Sequence, residues 1–175
     1  MRGSRRGSIK DILPERVSDE TAEVVEEVLE RKLTSAAGLA VDLLHAMEER
    51  FGPEARRVAA RMIENRGFEP RTETGAPVED LRRFRDTLER SCAGTHRWER
   101  TVDEPGRVGY RFTHCLWAKI FNHLGEPDLG LYFCAGDEPA ARAFNPELRF
   151  SRTRVLMRGD SHCDHVFYVK DRVKD

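Results

Sequence analysis

The period of the hydrophobic pattern changes once along the chain, near Gly94, and this change constrains the fold more than any other feature. Before Gly94, apolar residues recur about every three or four positions, which is the spacing of a helix with one buried face. After Gly94, apolar and polar residues alternate over residues 96–102 and 108–112, as in a half-buried strand. Helices followed by antiparallel strands predict an α+β fold, in which a helical N-terminal half packs on an antiparallel sheet with inserted short helices.

Amphipathic segments make up the predicted helical half. Ser18 has the residue type and position of a helix N-cap, and Gly52 followed by proline is typical of a helix end. The apolar positions of this first segment, which continues as one helix or restarts near residues 34–35, are Val25, Val28, Leu29, Leu33, Leu39, Ala40, Leu43, Leu44, Met47 and Phe51. We expect this stripe to be buried. A second helix runs from Ala55 to Gly67, and a third spans residues 78–92.

The second half holds the predicted sheet. In chain order, the pattern predicts a hairpin over 96–112 with a turn at 103–106, a helix over 115–124, a loop that contains Cys134, a short helix over 139–144, a strand over 148–157, a turn over 158–161 and a strand over 163–169. Residues 1–17 carry Gly, Ser and clustered Arg with little to bury, and we expect a flexible N-terminal arm there. Residues 18–175 then form a single α+β domain.

Composition disfavours several functional classes. The chain carries 30 Lys and Arg against 31 Asp and Glu, so we expect no nucleic-acid partner and no acidic-membrane partner. No apolar run approaches the roughly 18–20 residues that a membrane span needs, and no apolar stretch follows the first arginines as in a secretory signal. We therefore expect a cytoplasmic protein whose four cysteines are thiols or metal ligands rather than disulfides.

Most of the cysteines lie at predicted element ends, where rigid scaffolds present reactive groups. These are Cys115, Cys134 and Cys163, whereas Cys92 continues the apolar stripe of the third helix and is interpreted as a core residue. Cys115 and Cys134 each stand before a predicted helix, and a helix N-terminus lowers the pKa of a nearby thiol. Asp137 follows Cys134 by three positions. Spacing leaves two alternatives open: the cysteines converge on one pocket with Asp137, or they fill the core while Asp137 caps a helix.

Histidine and arginine residues add two further candidate roles. Cys163 and His165 share a strand face, and with Cys134 they are the candidate metal ligands, although their spacing matches no zinc finger or ribbon. The cofactor is therefore unknown from the sequence, and a divalent metal such as zinc is compatible with these residues. Arg152 and Arg154 lie on one face of the predicted strand, where each needs an acidic partner. That partner is either a substrate carboxylate or an acidic side chain of the protein.

A series of short elements occurs in order over residues 113–168. They are Cys115 with Trp117-Ala118, Leu124-Gly125, Asp128-Leu129-Gly130, Cys134, Asp137, Phe144-Asn145-Pro146, Arg152-Thr153-Arg154, and Gly159 with Ser161-His162-Cys163-Asp164. Together they resemble the L-2-amino-thiazoline-4-carboxylic acid hydrolase family. The resemblance implies a small hydrolase that acts on a cyclic amidine, with a functional core of Cys115, Cys134, Asp137 and Cys163. The sequence departs from the family pattern at His165, where an aromatic residue is usual.

The function predicted from these features is hydrolytic opening of a small cyclic amidine or thiazoline carboxylate, through C=N hydrolysis at a Cys/Asp site. Attack on the amidine carbon needs a thiolate or an activated water and a proton donor, so Cys134 is the candidate nucleophile or metal ligand and Asp137 its acid/base partner. Arg152 or Arg154 would hold the substrate carboxylate.

A second class of function stays open. A non-catalytic small-molecule or metal-binding module of similar fold, like the domain associated with vinyl reductases, would place its cysteines similarly. Asp137 discriminates between the two, because a binding module does not need a titratable group beside Cys134. A structural protein with core cysteines is a third alternative. The expected partner is a small-molecule substrate, and a homo-oligomer is left open.

Overall fold

The computed structural model describes residues 6–13, 17–64 and 69–170 of the chain. Its helices are α1 (Asp19–Phe51), α2 (Glu54–Glu64), α3 (Pro77–Cys92), α4 (Leu116–His123), α5 (Pro127–Cys134) and α6 (Asp137–Phe144). Its strands are β1 (His96–Glu104), β2 (Arg107–Cys115), β3 (Leu148–Ser151) and β4 (Cys163–Val169). The strands form one antiparallel sheet in the order β1-β2-β4-β3. The fold is α+β, as the change of hydrophobic period predicts.

The first helix is a single continuous element of 33 residues. The Ser18 hydroxyl accepts a hydrogen bond from the backbone N–H of Thr21, and Gly52 ends the helix with a φ of 75°. The core-facing residues are Ala37, Val41 and Leu44. The sequence therefore predicts both ends of α1 correctly, and the helix passes through residues 34–35 without a break.

The predicted burial of the α1 stripe is wrong for most of its members. The side chains of Val25, Val28, Leu39, Leu43, Met47 and Phe51 are exposed. The physical reason is that α1 contacts α2 and α4 through the neighbouring face, which carries Ala37, Val41 and Leu44. Periodicity identifies an apolar sector on a helix, but it does not say which part of a wide sector meets the core.

One face of the sheet forms the main core. Tyr110, Phe112 and Phe167 project from β2 and β4 into it and are almost fully buried. Helix α3 packs there through Phe84, whose ring lies 4.8 Å from that of Phe167. In the sheet register, Phe112 lies opposite Cys163 and Tyr110 lies opposite His165. Residues 163 and 165 therefore share this buried face.

A buried carboxylate positions α5. Glu126, which immediately precedes the helix, accepts hydrogen bonds from Arg56 of α2 at 2.6 Å and pairs with His45 of α1 at 2.5 Å. The Arg56 guanidinium, followed by the His45 ring, holds the pKa of Glu126 at about 2, against the effect of burial. The start of α5 is thus bonded to both α1 and α2.

A second buried carboxylate positions the end of α6. Asp80 is fully buried on α3, and its Oδ2 atom accepts hydrogen bonds from the Asn145 side chain at 3.0 Å and the Gly75 N–H at 2.7 Å. Asn145 follows α6 directly and is itself buried. This pair fixes where α6 ends against α3.

The predicted strand over 148–157 is too long, because β3 ends at Ser151. Beyond it, the Asp164 carboxylate accepts hydrogen bonds from the backbone N–H groups of Thr153 and Arg154 at 2.8 and 2.6 Å. Asp160 similarly accepts from Val155 at 2.7 Å. The backbone N–H groups of residues 153–155 thus donate to side-chain carboxylates instead of to a neighbouring strand. The segment therefore turns away from the sheet.

The predicted loop around Cys134 is also wrong. Cys134 is the last residue of α5, and α6 begins at Asp137 instead of Pro139. The sequence does not predict α5, because Gly130 lies within it and glycine is a poor helix former. Its presence has a packing reason: a Cβ at this position would lie 2.5 Å from the Met157 sulfur.

Part of the predicted N-terminal arm lies along the sheet. Arg6 exchanges backbone hydrogen bonds with Trp98 of β1 at 2.9 and 3.1 Å, and Glu26 of α1 accepts from the Ile9 N–H. Residues 1–5 and 14–16 of the arm lie outside the described residues. Among the described helices, none is both long and apolar enough to cross a membrane.

Candidate functional site

The candidate site is built from the ends of several elements. Cys115 ends β2 and caps α4, Cys134 ends α5, Asp137 begins α6, and Cys163 begins β4. We call these four residues the cysteine cluster. Each member lies within electrostatic reach of the others, because the charge of Asp137 acts on all three thiols and Cys134 responds to both other cysteines. The structure thus brings together the four residues of the predicted functional core.

Arg152 joins the cluster from the turn after β3. Its Nη1 donates to Asp137 Oδ2 at 2.7 Å, and its Nη2 donates to the Cys134 carbonyl at 3.4 Å. The guanidinium also lies over the Phe150 ring, 5.4 Å from its centre. Of the two alternative partners for this arginine, an acidic side chain of the protein is therefore present.

Asp137 has the electrostatics of an acid/base group. Burial raises the pKa of its carboxyl to about 6, although the Arg152 guanidinium opposes the shift. A carboxyl group with a pKa near the working pH can both accept and return a proton. Simple helix capping does not require this burial.

The cluster thiols are protonated at neutral pH. Burial raises the pKa of Cys115 to about 11 and that of Cys134 to about 12, and it also raises the pKa of Cys163. The N–H groups at the start of α4 lower the pKa of Cys115, but desolvation outweighs them. Cys134 lies at the C-terminal end of its helix, so the lowering expected at a helix N-terminus is absent there.

The three thiols differ in access and in hydrogen bonding. Cys115 and Cys134 are half-buried, whereas Cys163 is buried. The Cys163 sulfur also accepts a hydrogen bond from the Leu156 N–H at 3.2 Å. Of the three thiols, Cys163 is therefore the least exposed, and its sulfur is fixed by a backbone hydrogen bond.

His165 lies beside the cluster with its hydrogen-bonding groups unused. Its Nε2 is 3.9 Å from Asp137 Oδ2, and its ring packs between Phe112 and Phe150, with centroid distances of 4.9 and 5.1 Å. Both ring nitrogens are buried and have no hydrogen-bond partner among the described residues. Burial, aided by the charge of Arg152, lowers the pKa of His165 to about 3. The ring is therefore neutral, with one donor and one acceptor left unsatisfied.

The remaining predicted site residue lies elsewhere. Arg154 is exposed, because the chain has left the sheet before it. Cys134, Cys163 and His165, the candidate metal ligands, do not form a metal-binding set: the described part of the chain contains no group of three or more His, Cys, Asp or Glu side chains with that geometry.

Two residues near the cluster were not among the site residues predicted from the sequence. Cys92 lies in the core, as predicted, and its pKa is raised to about 12 by burial and then by the charge of Asp137. His96 pairs with Cys115 in the sheet, and burial lowers its pKa to about 4. Only the register of the hairpin, which contains two irregularities, reveals the pairing of His96 with Cys115.

Two surface cavities lie away from the cluster. One, of about 560 Å³, is lined by Arg6, Ser8, Asp11, Arg97, Thr113 and His114. The other, of about 240 Å³, lies between α3 and the β1–β2 turn and is lined by residues such as Arg82 and Arg85. Neither is lined by a member of the cysteine cluster.

Comparison with known proteins identifies one family. The family model described as L-2-amino-thiazoline-4-carboxylic acid hydrolase matches residues 18–167, a range that contains the whole cysteine cluster. The match confirms the resemblance seen over residues 113–168 and extends it across the helical half. No curated protein matches the chain.

Proposed function

The chain belongs to the L-2-amino-thiazoline-4-carboxylic acid hydrolase family, and from this premise we propose that it opens the ring of a small cyclic amidine carboxylate by hydrolysis. The observation that carries the proposal is Asp137: a half-buried carboxyl with a pKa of about 6, three residues after Cys134 and hydrogen-bonded to Arg152. The 2-amino-thiazoline-4-carboxylate of the family description is the substrate to test first.

The chemistry of the substrate defines what the site has to supply. The amidine carbon of the thiazoline ring is bonded to sulfur and two nitrogens. Hydrolysis forms a bond from this carbon to the water oxygen, converts the C=N bond to a single bond, and then expels a ring atom. Loss of the sulfur gives an N-carbamoyl thiol, and loss of the ring nitrogen gives an S-carbamoyl amine. Either route needs a base for the incoming proton and an acid for the leaving atom.

Asp137 is the proposed acid/base group. Above a pH of about 6 its carboxylate accepts a proton from the attacking group, and the resulting carboxylic acid returns it to the leaving ring atom. Arg152 serves as a positioning residue, because its hydrogen bond to Oδ2 fixes the carboxylate and limits the rise of its pKa. The negative charge of Asp137 also suits an amidinium group, which is planar and donates two parallel hydrogen bonds.

Cys134 is the proposed nucleophile. Its free thiol is protonated, with a pKa of about 12, so attack has to be coupled to proton transfer to Asp137. A bound amidinium adds a positive charge next to the sulfur and lowers that pKa. Attack forms the C–S bond as the C=N double bond becomes single, and expulsion of a ring atom, which takes the proton held by Asp137, leaves a covalent adduct. Water then adds to the carbon of this adduct and displaces the Cys134 thiol. The alternative role of Cys134 as a metal ligand finds no group of three or more ligating side chains among the described residues, and it predicts instead that the active protein contains stoichiometric metal.

The substrate carboxylate is assigned to Arg152 in preference to Arg154. A guanidinium has five N–H donors, and the contacts of Arg152 with Asp137 and Cys134 leave others free. Arg154 is exposed and outside the cluster. The neutral His165 ring supplies one further donor and one acceptor for polar atoms of the substrate.

The test is incubation of the purified protein with L-2-amino-thiazoline-4-carboxylate, with products identified by liquid chromatography and mass spectrometry. We expect loss of the ring and gain of one water, and the N-carbamoyl or S-carbamoyl product shows which ring bond breaks. The Cys134→Ala variant runs beside it, with metal analysis of both proteins. Full turnover by folded Cys134→Ala would refute the nucleophile assignment.

A binding module is the second candidate, and the raised thiol pKa values favour it. Thiols that stay protonated, together with an unpartnered imidazole, suit recognition of a polar ligand without turnover. Calorimetric binding of the same thiazoline with no product after prolonged incubation would support this candidate. That result would overturn the hydrolase proposal for this substrate.

A further inference from the structure

A large exposed apolar surface runs along the helical half. Of the eleven large hydrophobic side chains that are exposed among the described residues, nine lie on α1 and α2. They are Val24, Val25, Val28, Leu39, Leu43, Met47, Phe51, Val58 and Met62. Soluble monomers rarely expose a contiguous apolar patch of more than a few hundred Å². This concentration on two adjacent helices therefore indicates an interaction surface.

The most exposed part is a ridge of four side chains on α1. Leu39, Leu43, Met47 and Phe51 are spaced four residues apart, and Leu39 and Phe51 are 72% and 68% exposed. We call this set the α1 ridge. Ridges of residues four apart interdigitate in the commonest class of helix–helix packing. The α1 ridge thus has the form needed to pack against another helix.

The α1 ridge is complementary to itself under two-fold symmetry. When a second α1 lies antiparallel, with the two helices crossing at the level of residue 45, Leu39 of each copy lies beside Phe51 of the other. Leu43 then lies beside Met47 in the same way. A two-fold axis repeats each contact, which is the general form of a symmetric dimer interface.

The charges that flank the α1 ridge fit the same arrangement. Asp42 and Arg50 are exposed, one position before Leu43 and Phe51 respectively, and neither forms an ion pair with another described residue. Because a two-fold axis in the interface keeps the same flank of both helices together, Asp42 of one copy faces Arg50 of the other. Opposite charges at a rim set register and orientation.

We propose that the α1 ridge is the interface of a homodimer, in which the α1 helices of two copies cross antiparallel through Leu43 and Met47. The α1 ridge extends over about 18 Å of helix about 10 Å wide, a footprint of roughly 180 Å². A standard interface buries about 800 Å² per partner, so the proposed dimer also needs contacts outside the α1 ridge, for which the exposed Val58 and Met62 of α2 are the apolar candidates.

The experiment is sedimentation velocity and light scattering of the full chain at concentrations up to about 100 µM. The wild type is expected to have twice the chain mass of 20.1 kDa. Leu43→Glu, at a side chain that is 60% exposed, is expected to give a monomer with unchanged circular dichroism. The matched control is Ile12→Glu, an exposed apolar position outside the α1 ridge, which is expected to leave the dimer intact.

A charge swap tests the orientation. Asp42→Arg alone brings two arginines together and is expected to weaken the dimer by about tenfold or more. Adding Arg50→Asp reverses both charges and is expected to restore the wild-type affinity. A monomeric wild type at the highest concentration, or a dimer that tolerates Leu43→Glu, would overturn the proposal. A dimer that is lost with Leu43→Glu but ignores the charge swap would overturn the antiparallel arrangement.

Discussion

The α1 ridge and the cysteine cluster depart from the usual distribution of side chains in opposite directions. On α1, Leu39 and Leu43 are in contact with water, although leucine is normally buried. At the cluster, the Asp137 carboxyl is half-buried and the two ring nitrogens of the neighbouring His165 are buried without a partner among the described residues, although ionisable groups normally stay hydrated or fully paired.

The difference teaches what kind of second molecule each region fits. The free-energy cost of exposed apolar surface falls when another apolar surface covers it, and a small polar substrate does not offer such a surface. The desolvation cost of buried, unpaired donors and acceptors falls when a ligand with matching polar atoms forms hydrogen bonds with them. We therefore assign a protein partner to the α1 ridge and a small molecule to the cysteine cluster.

The largest expected effect is loss of turnover in Asp137→Asn. The amide keeps the shape of the carboxylate but cannot accept a proton, so we expect a fall in kcat of about 10² to 10⁴. Steady-state kinetics on the thiazoline substrate measures it. The matched control is Asp128→Asn in the first turn of α5, which is exposed and outside the cluster and should keep full activity. Activity in Asp137→Asn within a few-fold of wild type would remove Asp137 from the chemistry.

The pH dependence of activity and stability, compared between the wild type and Asp137→Asn, tests the acid/base role of Asp137 more sharply. Activity that needs the Asp137 carboxylate should fall as the pH drops through about 6. The contribution of Asp137 to the free energy of unfolding should change in the opposite direction and be largest at low pH. The folded state holds the Asp137 proton more tightly than the unfolded chain, in which the carboxyl has its ordinary pKa of 3.8, so this group's contribution declines as the pH rises from about 4 to about 6. Urea titrations of wild type and Asp137→Asn across this range measure the difference.

The next effect separates the two arginines. Arg152→Ala is expected to raise KM by about tenfold or more, because a charge-assisted contact contributes roughly 1.5–3 kcal/mol. It should also move the pH midpoint of activity upward, since Arg152 opposes the raised pKa of Asp137. Arg154→Ala is the matched control and should change neither quantity. An equal rise of KM in both variants would point to a general effect of positive charge.

A smaller effect concerns how the helix that carries Cys134 is packed. Gly130→Ala places a methyl group 2.5 Å from the Met157 sulfur and 3.0 Å from Phe121, so we expect a loss of about 1–3 kcal/mol in the free energy of unfolding. Gly38→Ala in α1 is the matched control. No atom lies within 4 Å of that Cβ, and alanine should stabilise the helix by about 0.5–1 kcal/mol. Chemical denaturation measures both, and equal effects would contradict the packing around Gly130.

Local patterns were sufficient to predict the order and type of most elements. The hairpin of β1 and β2, the helix after Cys115 and the N-cap at Ser18 follow from residue periods and end signals that act over a few residues. The strand predicted through residue 157 failed because Asp164, eleven positions from Thr153, takes backbone donors of that segment. Such a contact leaves no periodic trace in the sequence.

The site was predicted by a different route. Similarity to a family selected Cys115, Cys134, Asp137 and Cys163, and the fold brings them together. Their electrostatics were not predictable, because the depth of burial decides the pKa of a thiol and burial depends on the packing of several elements. The α1 stripe failed for a related reason: the part of an apolar sector that meets the core depends on the elements that pack against it.

The last prediction tests the buried imidazole nitrogens of His165, and it concerns how stability depends on pH. Burial keeps His165 neutral in the folded protein, with a pKa of about 3 against the ordinary histidine value of 6.5. The unfolded chain therefore binds a proton at a pH of about 5 that the folded chain does not, and stability is lost as the pH falls below 6.5.

His165→Phe removes both this titration and the two unpartnered nitrogens, and it fits a site lined by Phe112 and Phe150. We expect it to raise the free energy of unfolding by about 1–3 kcal/mol at pH 7, and by more at pH 5. Leu43→Lys on the α1 ridge is the comparison, because lysine at an exposed position should leave the fold of the single chain nearly as stable at both pH values. If His165→Phe is instead destabilised at pH 7, the imidazole has a partner inside the folded protein. In that case His165 would give no support to a polar ligand at the cysteine cluster, and the contrast with the apolar α1 ridge would rest on Asp137 alone.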